Sequence, residues 1–281
     1  LAEYYSEFPS LLFFIWIGGV LVSFSMGSFY STLAYRILRF YYGKERKIGS
    51  KLFRLKKILI EPSACESCGT RIQGMAIIPV FGYWLSKKEC INCKAPINPL
   101  YSLCEAMFGL LFVVSFLLSG KLLGSFTFVA LCGHLLVAAS TDFKKFSLDY
   151  ENLPFILLFG VLANFLLFDS VPGKTNLIVY VSFSAVFFLV YFLFPAGMGF
   201  ADAVFAPAFA FLCTHPWWIF FLNSSYAIAI IVTVVQRKKG ESLRQVPIPM
   251  GVYFSIGLVL TFLGRMLSNS GLLPNWADLI L

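Results

Sequence analysis

The chain has 281 residues, of which 59% are hydrophobic, 18% aromatic and 13% charged, and its formal charge is +8. Such a balance excludes an ordinary soluble domain and fits a polytopic membrane protein. The positive charge does not point to nucleic acid, because its distribution along the chain follows membrane topology.

In chain order, eight apolar segments are predicted to span a bilayer, at 11–33, 100–119, 124–141, 153–168, 177–195, 203–220, 222–236 and 249–268. Most approach the ~20 residues that a spanning helix needs. The expected fold is therefore an all-α polytopic membrane protein of about eight transmembrane helices. The first ten residues are polar and acidic with no basic stretch, so the first apolar segment reads as a span and not as a cleaved leader. Ser119-Gly120-Lys121, the stretch from Phe168 to Asn176, and Leu222-Asn223-Ser224-Ser225 read as turns between helices. The expected organisation is a first transmembrane helix within 1–35, a hydrophilic insert over 36–98, and a transmembrane bundle over 99–281.

The insert holds thirteen Lys or Arg, from Arg36 to Lys94. Lys144 and Lys145 follow the third span, and Arg237, Lys238, Lys239 and Arg244 follow the seventh. Lys121, Lys174 and Arg265 fall on the opposite side. The positive-inside rule then places the insert in the cytoplasm and both termini outside it.

Within the insert, Cys65-Glu66-Ser67-Cys68 and Cys90-Ile91-Asn92-Cys93 form two CxxC knuckles. Two knuckles supply four thiolates, which suits a tetrahedral Zn²⁺ site; the reducing cytoplasm disfavours disulfides. Four sulfurs fill the coordination sphere, so the zinc should be structural and should contribute to folding of the insert. Cys104, Cys132 and Cys213 lie in apolar segments and read as small core residues.

Of fourteen acidic residues, Glu3, Glu7, Asp169 and Asp278 are expected outside, and Glu45, Glu61, Glu66, Glu89, Glu151 and Glu241 in cytoplasmic loops. Glu105, Asp142, Asp149 and Asp202 remain. Asp142 directly follows the third span, and Asp202 follows the glycine-containing stretch Gly197-Met198-Gly199-Phe200-Ala201. Glycines there permit close backbone approach and unusual dihedrals, as in a helix broken to line a polar cavity. Topology puts both aspartates at the cytoplasmic membrane face and at similar depth. Two carboxylates brought together share a proton, so that one can activate water while the other protonates or holds a scissile carbonyl. Each aspartate alone could instead be a loop residue or a helix N-cap. Asp149 competes with Asp142 but lies nearer solvent, where a carboxylate is less perturbed. Glu105 is expected to face the positive end of its helix dipole. His134 and His215 have no partner suggested by spacing and read as structural.

Six stretches in order carry a resemblance: Met26-Gly27-Ser28-Phe29-Tyr30-Ser31 through Tyr35-Arg36, the double CxxC, Tyr101-Ser102-Leu103-Cys104-Glu105, Asp142-Phe143-Lys144, Gly199-Phe200-Ala201-Asp202, and Pro247-Ile248-Pro249-Met250-Gly251-Val252-Tyr253. Together they resemble the bacterial type IV prepilin peptidases, GxGD-type intramembrane aspartyl proteases. The resemblance implies cleavage of the short basic leader of type IV prepilins or type II secretion pseudopilins, with Asp142 and Asp202 catalytic and Gly197, Gly199 and Ala201 supporting them. It also implies a location in the bacterial cytoplasmic (inner) membrane, with prepilins and membrane lipid as partners. Many such enzymes then methylate the new N-terminus with S-adenosylmethionine; Glu105 and the cysteine insert are the candidates for that step here.

The chain departs from the family pattern at Ala201 (Gly), Asp149 (Pro), Ser31 (Asn), Ser102 (Pro) and Val252 (Pro). None removes a candidate carboxylate. The departures nearest the acids leave open a second reading, a catalytically diverged scaffold of a pilus or secretion system. A transporter with proton-relaying acids is a third, though no inverted repeat is visible and the zinc insert has no role in it.

Overall fold

The structure, a computed structural model, describes residues 9–195, 197–237 and 247–274. Glu3, Glu7, Lys238, Lys239, Glu241, Arg244 and Asp278, each assigned above to a side of the membrane, lie outside the described residues. The helices are α1 (Pro9–Ile37), α2 (Lys51–Ile60), α3 (Phe81–Leu85), α4 (Pro99–Ser119), α5 (Leu122–Lys145), α6 (Leu153–Phe168), α7 (Lys174–Leu193), α8 (Phe200–Leu212), α9 (Trp217–Gln236) and α10 (Met250–Asn269). Only two isolated bridges, and no strand, occur among the described residues. Among the described residues, six segments are long and apolar enough to cross a membrane: Leu12–Tyr42, α4, α5, α7, α9 and α10. α6 and α8 are apolar but shorter, at 16 and 13 residues. The expected all-α multi-pass architecture is present, with two of its eight helices too short to span unaided.

The chain divides into two compact units, residues 1–114 and 115–281. In the first, α1 continues past Ile37 as a π-helical turn to Tyr42, well beyond its expected end. Gly27 marks where α1 meets α4, since a Cβ there would stand 2.8 Å from the Glu105 Cα. This is the small-residue contact by which membrane helices approach closely. The insert between them holds α2, α3 and the two cysteine knuckles.

In the second unit, α5 packs on α6, α7 on α8, and α9 on α10; α10 also packs on α5, and α8 touches α6, α9 and α10. α5 and α10 are largely buried, whereas α7 and α9 turn most of their surface outward. The short α8 is an inner element, with Phe205, Ala206, Phe209, Ala210 and Leu212 fully buried.

One expected turn is misplaced. The chain reverses at Cys213-Thr214-His215-Pro216, not at Leu222–Ser225, which lies inside α9. Pro216 lacks the N–H that would continue α8. The polar run Asn223-Ser224-Ser225 satisfies itself within the helix: Asn223 donates to the Ile219 carbonyl at 2.8 Å, and Ser225 to that of Phe221 at 2.7 Å. Side chains bonded back to the preceding turn do not end a helix.

Candidate active site and metal centre

α5 runs to Lys145, so Asp142 occupies its last turn instead of following its end, and it is only 5% exposed. Phe146, in the left-handed region at φ 48°, closes the helix by donating its N–H to the Asp142 carbonyl at 2.8 Å. The side chain turns inward. Its Oδ2 accepts the Gly251 N–H at 2.7 Å, and the next N–H, of Val252, is also in range. Gly251 is the second residue of α10, where backbone N–H groups lack intrahelical partners and the helix dipole favours an anion. A Cβ at Gly251 would stand 2.9 Å from Asp142 Oδ2 and 2.6 Å from the Leu148 side chain. Only glycine fits without displacing one of them.

Asp202 lies in the first turn of α8, half-buried, with its N–H donated to the Gly199 carbonyl at 3.1 Å. Gly199 is the N-cap at φ −73°, and neither it nor Gly197 takes a positive φ. The expected use of unusual dihedrals therefore does not hold. Gly199 supplies space instead, for a Cβ there would come within 3.3 Å of Asp202 Oδ2. Ala201 sits inside α8 with helical backbone, where its extra methyl introduces no strain.

Aromatic contacts fix the start of α8. The Phe200 ring lies 5.9 Å from Phe188, 5.6 Å from Tyr191 and 6.3 Å from Tyr150, and Tyr150 also meets Phe205 at 5.7 Å. Tyr150 belongs to the loop after α5, so the ends of the two aspartate-bearing helices are joined through it. Asp142 and Asp202 lie within electrostatic range of one another, and so do Asp202 and Tyr226 of α9.

The other end of α8 is held by groups that sequence reasoning passed over. Asn164 donates to the Leu212 carbonyl at 2.9 Å, and Asn176 to that of Phe211 at 3.0 Å. The Asn164 Oδ1 accepts from Arg265, whose guanidinium lies 3.8 Å over the Phe168 ring. These side chains satisfy carbonyls that a short helix leaves open at membrane depth. An Asn inside the apolar run of α6 was the available signal.

The remaining acids and histidines are otherwise engaged. Asp149 accepts the Glu151 N–H at 3.1 Å in a turn. Glu105 lies seven residues into α4, past the first turn where the dipole acts, and accepts the Val80 N–H; Ser102 donates to the Val80 carbonyl at 3.1 Å. Val80 has φ 64°, costly for a β-branched residue, and the two α4 side chains hold the peptide groups on either side of it. His134 bonds Asn152 at 2.6 Å between the rings of Phe155 and Phe159, and His215 accepts from Trp218 Nε1 at 3.1 Å.

The two knuckles fold alike. Bridges Ala64–Arg71 and Glu89–Pro96 occupy equivalent places, and the residue after each second cysteine is left-handed, Gly69 at φ 72° and Lys94 at φ 60°. All four Sγ atoms lie within 4.8 Å of one another, with Cys65–Cys93 at 3.7 Å and Cys68–Cys90 at 3.8 Å. A tetrahedron of ~2.3 Å zinc–sulfur bonds has S···S edges of ~3.8 Å, so the set fits such an ion. The Thr70 hydroxyl and N–H draw the Cys68 thiol down to about 6, and the N–H groups of Cys93 and Asn92 lower that of Cys90. Against the Ala95 N–H, the neighbouring sulfurs of Cys68, Cys65 and Cys90 push Cys93 up to about 12. Four thiolates this close need a cation between them.

Residues 21–119 match the Bacterial Peptidase A24 N-terminal domain, and residues 129–234 the Type IV leader peptidase family. A Prepilin leader peptidase/N-methyltransferase of Pseudomonas aeruginosa is 29% identical over 215 residues, covering 71% of this chain and 70% of that protein. The chain belongs to the type IV prepilin peptidase family. No solved structure matches it. The first family match contains the cysteine clip and the Glu105–Val80 clamp, and the second contains both aspartates. Gly251, which holds Asp142, lies beyond the second match.

Proposed function

We propose that this member of the prepilin peptidase family is a membrane aspartic endopeptidase that removes the leader of type IV prepilins or pseudopilins at the cytoplasmic membrane face. What supports the reading is that Asp142 and Asp202, carboxylates on different helices, lie within electrostatic range of one another, with Asp142 held by a helix N-terminus. In this reading the Gly251 N–H keeps Asp142 oriented as the carboxylate that activates water. Asp202 then carries the proton to the scissile amide. Gly199 supports it by leaving space beside its carboxyl, Ala201 by continuing the helix without strain, and Gly197 by turning the chain into α8. Insert and aspartates share the cytoplasmic side of the inner membrane, with both termini across it.

Zinc is the metal we assign to Cys65, Cys68, Cys90 and Cys93, as a structural clamp for the insert. N-methylation, named for the Pseudomonas relative, would be a second activity of the same chain, with S-adenosylmethionine as the donor we assign. Glu105 fits a methyl donor poorly, because its carboxylate is buried and committed to Val80, and we derive no step through it.

The test is purified Asp142→Asn and Asp202→Asn protein incubated with a panel of prepilins, following leader loss and N-methylation separately. Each variant should insert in membranes, keep its zinc and lose cleavage. Retained cleavage by either would remove it from the dyad, and loss of zinc or insertion would make the variant uninformative about chemistry. Asp→Glu variants then serve as the second probe.

A further inference from the structure

α2, Lys-Leu-Phe-Arg-Leu-Lys-Lys-Ile-Leu-Ile, is a ten-residue helix with four basic residues and no acid. Ser50 caps it by accepting the Phe53 N–H at 3.2 Å. Ile58 is its buried side chain, 2% exposed. Leu52, Leu55 and Leu59 recur at helical spacing on one face and are 75%, 42% and 53% exposed. Lys51 and Lys56 flank that stripe, and both are exposed. In water such a face has no reason to persist, and the flanking lysines describe its natural cover.

The depth of α2 is fixed by α1. Arg36 donates to the Ile58 carbonyl at 2.8 Å and to that of Glu61, so the C-terminal end of α2 is tied to the first membrane segment six residues before that segment ends. That segment has 31 residues. At 1.5 Å per residue it is about 46 Å long, against a hydrocarbon core of ~30 Å. With its uncharged stretch over 12–33 filling that core, the last turns, which carry Arg36 and Arg39, stand among lipid headgroups, and α2 folds back to that level.

We propose that α2 is a lipid-docking helix, with Leu52, Leu55 and Leu59 seated in the interfacial layer and Lys51 and Lys56 on anionic phospholipid headgroups. A basic prepilin leader is the less suitable occupant, since the face carries the same charge. The docking would anchor the cytoplasmic insert against the membrane independently of the metal and of the aspartates.

The test uses the full chain in nanodiscs, which present the same lipid on both faces, so the outcome does not depend on orientation or on peptidase activity. A fluorescent amino acid replaces Leu55, and the discs contain phosphatidylcholine with phosphatidylglycerol, one or the other brominated along its acyl chains. A label at Phe13 of α1 is the positive control for quenching. Quenching at position 55 should be at least about twofold stronger from brominated phosphatidylglycerol than from brominated phosphatidylcholine, and Lys51→Gln/Lys56→Gln should erase that preference. Quenching at Phe13 without quenching at 55 would overturn the proposal, and would leave a second copy or a protein partner as the occupant. Equal quenching by both lipids would overturn the anionic preference.

Discussion

Gly251 donates its N–H to Asp142 Oδ2 at 2.7 Å, joining residues 109 positions apart through the start of α10. The contact needs both a free helix N-terminus and a residue without Cβ, because any side chain at 251 would meet the carboxylate or Leu148. Gly251→Ala should therefore leave the protein inserted and metal-loaded but displace Asp142. A displacement near 1 Å at a reacting group costs roughly 100-fold in rate. The measurement is single-turnover cleavage of a prepilin, with thermal unfolding in parallel. Val252→Pro, which removes the neighbouring N–H and its bond to the Pro249 carbonyl, should stay within about threefold of wild type if the Gly251 N–H alone suffices to orient the carboxylate.

Ala201 is the departure nearest the aspartates, and it lies inside α8 with helical backbone. Ala201→Gly restores the family residue but puts glycine into a helix, at a cost of about 0.5–1 kcal/mol. The expected result is a slightly lower midpoint of thermal unfolding with cleavage changed less than about threefold. A large gain in rate would mean that the methyl obstructs Asp202.

Asn164 anchors the far end of the helix that carries Asp202. Asn164→Leu would leave the Leu212 carbonyl without its donor and Arg265 without its amide oxygen. An unsatisfied buried group costs about 1–3 kcal/mol, more where charge is involved. The variant should unfold at a lower temperature in detergent and lose activity in proportion to its unfolded fraction. Asn164→Gln, which keeps both functions, should recover part of each.

Much of the fold was legible because apolar length and CxxC spacing each report one physical constraint. The cysteine clip follows from four thiolates at two short spacings, and its sulfurs sit at tetrahedral distances. What escaped was tertiary. Hydropathy could not separate α8 from α9 at the right place, since Asn223, Ser224 and Ser225 resemble a turn until their side chains are seen bonded to the preceding carbonyls. Nor could spacing reveal that Glu105 clamps Val80, or that the glycine of the Gly251 motif faces Asp142. Both are contacts across long sequence separations, between residues whose individual chemistry is ordinary.

The metal clip should respond to acid in one direction. Ligation requires thiolates, and the Thr70 and backbone N–H groups hold Cys68 and Cys90 below the usual thiol range. These thiols stay ionised above their lowered values and take up protons below them. Zinc should therefore be retained at neutral pH and lost as the pH falls, because protons compete with the metal for the same thiolates. Metal content after dialysis at stepped pH measures this directly. Zinc loss should open residues 61–98 to limited proteolysis while far-UV circular dichroism changes little, because the helices reside mainly in the apolar segments. Cys93→Ser should weaken retention at every pH. Thr70→Val should shift the release upward in pH, since the hydroxyl that favours the Cys68 thiolate is gone.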